Sequence, residues 1–76
     1  MEWSRRSEGF LKILVNGENK ELIEQTTLEE LIQQLGVRKE TVVAEVNRRI
    51  VQLDKRSGIQ LADGDQVELI QFVGGG

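Results

Sequence analysis

The chain ends in three consecutive glycines, Gly74, Gly75 and Gly76, and the terminal carboxylate of Gly76 is the group best suited to covalent chemistry. Cysteine and histidine are both absent, which removes the thiolate nucleophile, the usual general base and the commonest metal ligand. A tail without side chains can enter a narrow channel, and three extended residues reach about 10 Å. The pattern predicts a carboxylate that another protein activates, most simply by adenylation with ATP, and that sulfur then attacks to give a thiocarboxylate. A frayed end without a role is the alternative that the tail alone leaves open.

Composition excludes several other classes of function. The 76 residues make one small domain, with a net charge of -3 from 13 acids and 10 bases spread along the chain. Nucleic acid is not an expected partner, because phosphate binding needs a concentrated basic patch. The apolar runs are too short to span a membrane and no signal peptide is recognisable, so we expect a cytoplasmic protein. The basic pairs at 5–6, 48–49 and 55–56 are expected to be solvated surface or local contacts with a partner.

The elements that must position the tail begin with a hairpin. Asn16-Gly17 separates the apolar run Phe10–Asn16 from a second strand expected at Lys20–Glu24. Asparagine and glycine both tolerate the positive φ angles of a type I′ turn. The sequence therefore predicts two antiparallel strands joined by a tight turn.

The next segment carries the start and stop signals of a helix. Thr27 with Glu30 three residues later is a capping-box arrangement, and Gly36 is a typical residue just past a helix end. The residues between them form an apolar stripe at helical spacing: Leu28, Leu31, Ile32 and Leu35. This stripe is expected to be core and not a binding groove.

Three further strands are expected in the second half of the chain, at Thr41–Asn47, Ile50–Leu53 and Gln66–Val73. Tight turns are predicted at 47–49 and 63–64 because of their Asn and Asp-Gly residues. The polar connection between the last two strands has three expected inward anchors: Leu53, Ile59 and Leu61.

The predicted order is therefore β-β-α-β-β-β. One amphipathic helix can cover one face of a mixed sheet, which gives a two-layer α+β domain. The order and size favour a β-grasp (ubiquitin-like) roll, with a mixed sheet of four to five strands packed on one main helix. We expect a flexible N-terminal extension at 1–9 that leaves Trp3 mostly exposed, the domain at 10–73, and a flexible glycine tail at 74–76.

Alternation along the last strand predicts a docking surface at the root of the tail. Val67 and Leu69 are expected to face the core, while the intervening side chains face outward beside the neighbouring strands. The expected surface consists of four apolar residues: Leu14, Val43, Ile70 and Phe72. Exposed apolar patches on small proteins often mark interaction sites, although scattered exposed apolar residues are also normal.

Taken in order, several segments resemble the sulfur carrier proteins of thiamin biosynthesis. These segments read VNGENKEL, TLEELIQQLGV, VVAEVNRRIV, LADGDQVELIQFV and the final GGG. The resemblance runs from Phe10 to Gly76, and its most specific parts are Asn47–Val51, the Asp63-Gly64-Asp65 turn and the ending Phe72–Gly76. The first nine residues depart from the pattern, because members of this family usually begin close to the first strand.

The resemblance implies a cycle in which the chain is a co-substrate and not an enzyme. An adenylating enzyme related to ubiquitin-activating enzymes would use ATP and Mg²⁺ to form an acyl-adenylate on Gly76. Sulfur, supplied by a donor such as a cysteine desulfurase, would convert it to a thiocarboxylate, and the carrier would then dock with thiazole synthase. Gly74 and Gly75 would be the threading residues, and this chain would itself bind no cofactor or metal.

Three alternatives stay open at this point. The small subunit of molybdopterin synthase has a similar fold and tail, but such subunits have a longer helical insert and often have prolines before the tail, and this chain has no proline. A ubiquitin-like modifier would undergo the same activation and would then join lysines of target proteins. A plain β-grasp binding module would have an inert tail.

Overall fold

A computed structural model of the chain describes residues 9–72. Its strands are β1 (Phe10–Val15), β2 (Glu18–Ile23), β3 (Val42–Val46), β4 (Arg49–Val51) and β5 (Gln66–Gln71), with one α-helix, α1 (Leu28–Gln34). Two short 3₁₀ helices, Lys39–Thr41 and Leu53–Gly58, precede β3 and follow β4. The predicted succession of strands and helix along the chain, β-β-α-β-β-β, is thus confirmed, with boundaries that differ from the expected ones by a few residues.

The strands form one five-stranded mixed sheet in the order β2-β1-β5-β3-β4. The β1–β5 pair is parallel, whereas β2, β3 and β4 pair with antiparallel neighbours. The chain can reach this order because the connection through α1 carries it across the sheet from β2 to β3. The sheet packed on one main helix confirms the β-grasp fold.

Local sequence explains the two tight hairpins. Asn16 and Gly17 have φ angles of 52° and 84°, and Asn47 and Arg48 have 52° and 70°. Both hairpins therefore place positive φ at the two central positions, as a type I′ turn requires. Arg48 occupies a left-handed position that normally disfavours a side chain with a Cβ.

The helix begins and packs as its sequence indicates. Glu30 N donates to Thr27 Oγ1 at 3.1 Å, and Thr27 N donates to Glu30 Oε1 at 2.9 Å, which completes the capping box. Among residues 9–72, the core between α1 and the sheet contains eleven buried apolar residues: Leu11, Ile13, Val15, Leu22, Leu28, Leu31, Ile32, Val42, Ala44, Leu61 and Val67. Leu69 packs against this cluster as a half-buried residue, in agreement with its expected inward position.

Three expectations about individual side chains are wrong. Leu35 ends the helix as its C-cap and is 38% exposed, and Leu53, the first residue of the second 3₁₀ helix, is 46% exposed. Arg56, expected on the surface with Lys55, is buried at 5% exposure. Its guanidinium donates to the backbone carbonyls of Lys39 (3.0 Å), Val42 (2.7 Å) and Val51 (3.4 Å).

Residues 1–8 and 73–76 lie outside the described part of the chain. The expectations for Trp3, for most of the N-terminal extension and for the tail Gly74–Gly76 therefore stay predictions. Gly9 is described, and its carbonyl accepts a hydrogen bond from Glu24 N at 3.1 Å, which continues the first hairpin by one residue.

Candidate functional site

The site begins at β5, the last strand before the glycines. It lies in the centre of the sheet, parallel to β1 on one side and antiparallel to β3 on the other. Val67, near its start, is 1% exposed and anchors the strand in the core. The chain therefore leaves the domain from an internal strand, which is held on both sides and is more rigid than an edge.

An exposed apolar patch lies at the end of this strand. Ile70 is 53% exposed and Phe72 is 49% exposed, and Val43 lies directly opposite Ile70 in the β3–β5 register. Phe72 N donates to Thr41 O at 2.9 Å, which keeps Phe72 attached to the sheet beyond the last residue of β5. We call Val43, Ile70 and Phe72 the exit patch.

Leu14 does not belong to the exit patch. It lies opposite Gln66 in the β1–β5 register, on the same face as Ile70 but four residues earlier along β5. Four residues of strand span about 13 Å, and the side chain of Glu68 lies between them on that face. The expected contiguity of Leu14 with Ile70 is therefore wrong, because β1 turns away at Asn16 before it reaches the level of Ile70.

Ile50 is an apolar neighbour that the sequence analysis missed. It lies opposite Glu45 in the β3–β4 register, diagonal to Val43, and is 62% exposed. The pairing of β3 and β4 across the Asn47-Arg48 turn puts Ile50 on the same face as Glu45. This hairpin pattern in the sequence could have identified Ile50 as an outer-face residue. It extends the apolar surface toward the edge of the sheet at β4.

Two carboxylates border the exit patch on the side away from the tail. Glu45 and Glu68 lie directly opposite each other in the β3–β5 register. Like charges in such a cross-strand pair repel each other and destabilise a sheet slightly. On the outer face of the sheet, the apolar residues Ile70 and Phe72 near the end of β5 are thus preceded by the acidic pair of Glu45 and Glu68.

Two asparagines from the tight turns hold β5 near its two ends. Asn47 Oδ1 accepts from Gln66 N at 3.0 Å at the start of the strand. Asn16 Oδ1 accepts from Leu69 N at 2.8 Å, and Asn16 Nδ2 donates to Leu69 O at 3.3 Å. Sequence reasoning recognised both residues as turn formers and gave no sign of these contacts, which join segments far apart in the chain.

The described residues offer little for chemistry of their own. Between Gly9 and Phe72, no group of three or more potential ligands is arranged to hold a metal ion. A groove of about 560 Å³ lies between the end of β2 and α1, on the opposite end of the sheet from the exit patch. It contains Glu30, whose carboxylate is already engaged in the capping box.

Comparison with known protein families identifies relatives of this chain. The model of the ThiS family matches residues 13–76, from the middle of β1 through the last glycine. The chain belongs to the ThiS family. This confirms the resemblance to the sulfur carrier proteins of thiamin biosynthesis.

One solved structure agrees with the family assignment, and a second shares the fold. The crystal structure of the thiamine biosynthesis protein (ThiS) from Geobacter metallireducens is 30% identical, covers 87% of this chain and 100% of its own, and superimposes with a TM-score of 0.75. A ubiquitin from Caldiarchaeum subterraneum is 22% identical and covers 90% of this chain and 100% of its own, with a TM-score of 0.54. The second match shows only that the fold is ubiquitin-like.

Two curated relatives are thiazole synthases, and both are longer than this chain. The thiazole synthases of Paramagnetospirillum magneticum and Magnetococcus marinus are 35% and 38% identical to this ThiS-family chain over 66 residues. The matched region is 87% of this chain and 20% of each relative. The chain therefore spans about a fifth of the length of the curated relatives that it matches.

Proposed function

We propose that this chain carries sulfur, as a thiocarboxylate on Gly76, for the synthesis of the thiazole moiety of thiamin. The observation that carries this proposal is the exit patch at the end of the central strand β5. It lies immediately before the glycine tail, and the family match continues through Gly76. A carrier needs this combination of a rigid body, a docking surface and a narrow reactive end.

Thiazole synthase is the proposed acceptor of the sulfur. Each matched thiazole synthase contains, in one polypeptide, a segment similar to this chain and a remainder about four times as long. Linking two modules in one chain raises their effective concentration for each other. Such an arrangement favours a direct contact between a carrier of this kind and a thiazole synthase.

The remaining steps of the proposed cycle take place on partner proteins. An adenylating enzyme uses ATP and Mg²⁺ to join AMP to the Gly76 carboxylate, and pyrophosphate leaves. The terminal sulfur of a persulfide, supplied by a donor such as a cysteine desulfurase, then displaces AMP to form an acyl disulfide, and a thiol reductant cleaves the S–S bond to release the thiocarboxylate. The chain is a co-substrate in this scheme and not a catalyst. An ATP-dependent first step favours the cytoplasm as its location.

The exit patch is the proposed docking surface for these partners, and Ile50 extends it. Val43, Ile70 and Phe72 would contact an apolar surface beside the mouth of the partner's channel, while Gly74 and Gly75 enter it. The carboxylates of Glu45 and Glu68 favour a partner with basic residues next to that apolar surface, because complementary charge speeds association. Leu14, which is separated from the patch by Glu68, has no role in this proposal.

Intact-mass measurement tests the proposal directly. The chain is incubated with ATP, Mg²⁺, the adenylating enzyme of the same organism and a sulfur donor. The expected product is heavier by the exchange of one oxygen for sulfur, and fragmentation localises the change to Gly76. A variant that lacks Gly75 and Gly76 is the matched control and should stay unmodified.

Two results would contradict the proposal. Absence of any mass change with a competent enzyme would refute the carrier function. Recovery of Gly76 in isopeptide linkage to lysines of other proteins, without thiocarboxylate, would show a protein modifier instead.

A further inference from the structure

The β1–β5 ladder ends before β5 does. Its register covers Leu14 opposite Gln66 and Val15 opposite Val67, and the last backbone hydrogen bond joins Asn16 N to Val67 O at 2.9 Å. After Asn16 the chain turns into β2. Leu69 lies two residues further along β5, where β1 has no strand residue left to pair with it.

The side chain of Asn16 takes the place of the missing strand residue. A carboxamide offers one carbonyl acceptor and an NH donor, the same pair as a backbone peptide group. Its Oδ1 accepts from Leu69 N at 2.8 Å and its Nδ2 donates to Leu69 O at 3.3 Å. The ladder therefore continues for one more residue in the direction of the tail.

The two sides of β5 are supported unequally at this level. On the β3 side, pairing continues to Val42 opposite Gln71, and Phe72 N still bonds to Thr41 O. On the β1 side, the Asn16 carboxamide provides the support beyond Val67. Loss of this contact would let the end of β5 twist about its β3 edge and would change the direction in which the chain leaves the sheet.

We infer that Asn16 is a positioning residue for the reaction of the tail. By fixing Leu69, it holds the exit patch and the chain beyond it in one orientation, so that a docked carrier directs its carboxylate into the partner's active site. This inference rests on the proposed function. It assigns to Asn16 a role beyond the turn that its positive φ explains.

Two substitutions of Asn16 separate the side-chain contact from the turn. Asn16→Gly keeps the φ angle accessible and removes both hydrogen bonds to Leu69. Asn16→Asp also tolerates positive φ and keeps an oxygen acceptor for Leu69 N, but has no donor for Leu69 O. Amide hydrogen exchange at Leu69 should rise by about fivefold or more in Asn16→Gly, as expected for the loss of about 1 kcal/mol of hydrogen bonding, and less in Asn16→Asp.

Asn47→Gly is the matched control. Asn47 has the same φ of 52° and binds β5 through its side chain, but at Gln66, near the opposite end of the strand. It should lose a similar amount of stability, because it also loses side-chain hydrogen bonds to β5 and the neighbouring loop. In Asn47→Gly, amide hydrogen exchange at Leu69 should rise only by the amount that the loss in global free energy of unfolding accounts for.

The decisive readout is the kinetics of thiocarboxylate formation on the adenylating enzyme. With its exit patch intact, Asn16→Gly should keep its KM within about twofold, while kcat falls by about fivefold or more because the carboxylate is presented less often in a reactive position. Asn47→Gly should keep both constants. A purely structural role for Asn16 would affect the two variants alike.

The outcomes that overturn the inference are distinct from those that overturn the proposed function. Unchanged exchange at Leu69 in Asn16→Gly would refute the ladder contact in solution. Wild-type kcat in Asn16→Gly, or an equal loss in Asn47→Gly, would refute the positioning role while the carrier function stands. If the wild-type chain is itself not modified, the carrier function fails, and the positioning role fails with it.

Discussion

Replacement of the buried Arg56 with methionine is expected to destabilise the fold by about 3 kcal/mol. Arg56 is 5% exposed, and its guanidinium donates to three backbone carbonyls, those of Lys39, Val42 and Val51. Two of these bonds, at 2.7 and 3.0 Å, are short, while the bond to Val51 at 3.4 Å is long. The cation thus joins the first 3₁₀ helix to the start of β3 and the end of β4.

The magnitude follows from two opposing effects. Hydrogen bonds from a charged donor contribute about 1.5–3 kcal/mol each, and methionine leaves their carbonyl acceptors without that donor. Removal of the cation also removes the cost of its burial, which offsets part of the loss. Methionine has a long, unbranched side chain that fills much of the same space, so little of the effect should come from a cavity.

Urea denaturation at neutral pH measures the effect. A domain of this size has a free energy of unfolding of about 4–11 kcal/mol, so a loss of about 3 kcal/mol should lower the urea midpoint clearly and Tm by about 12–24 °C. Arg56→Lys should lose about 1–2 kcal/mol, because a single ammonium cannot reproduce the planar set of donors. Lys55→Met, at the exposed neighbouring position, is the control and should change stability by less than about 0.5 kcal/mol.

A loss of less than about 1 kcal/mol in Arg56→Met, or a loss no larger than that in Lys55→Met, would refute the stabilising role of Arg56. Either result would mean that water replaces the guanidinium at the three carbonyls without penalty. An unchanged denaturant slope across the variants is needed for the comparison, since it shows that the denatured state is the same.

Three further predictions concern the docking surface and local stability. Ile70→Glu should raise the KM for adenylation by about tenfold or more with little change in Tm. Ile23 is a similarly exposed isoleucine at the far end of the sheet, and Ile23→Glu should leave the KM unchanged. Equal effects of the two substitutions on the KM would rule out the exit patch as a docking surface. Thr27→Ala removes the acceptor for Glu30 N and should cost about 1 kcal/mol in urea denaturation, and a neutral result would show that the capping box adds nothing to α1. Arg48→Gly relieves a positive φ and should stabilise the fold by up to about 1 kcal/mol; a clear loss of thermal stability would show that the Arg48 side chain makes a contact that offsets its strain.

Local patterns in the sequence were enough to predict most of the strands, the helix and the tight turns. The Asn16-Gly17 pair has a backbone preference that acts within a few residues, and the hairpin forms there. The same is true of Thr27 with Glu30, whose side chains reach only each other's backbone. Gly36 has a φ of 76°, as expected just past the end of a helix. These interactions do not depend on where the rest of the chain lies.

The candidate site could be predicted only in part from the sequence. Alternation correctly identified Val67 as core and Ile70 and Phe72 as outward, because successive side chains of a strand point to opposite faces. It could not show that Leu14 is about 13 Å from Ile70 along the strand direction. That separation depends on the register between β1 and β5, which are brought together from opposite ends of the chain.

The sequence by itself determined the glycine tail, the absence of cysteine and histidine, and the strand that leads to the tail. Tertiary structure alone decided the surroundings of that strand. Asn16 reaches Leu69 only after β1 and β5 have come together, and Arg56 reaches Val42 only after the second 3₁₀ helix has packed beside β3. Both side chains complete hydrogen-bond ladders that neighbouring strands leave short. A polar residue can be recognised as a turn former or a surface charge from its local sequence, but the backbone group that it will satisfy is known only once the strands have their final register.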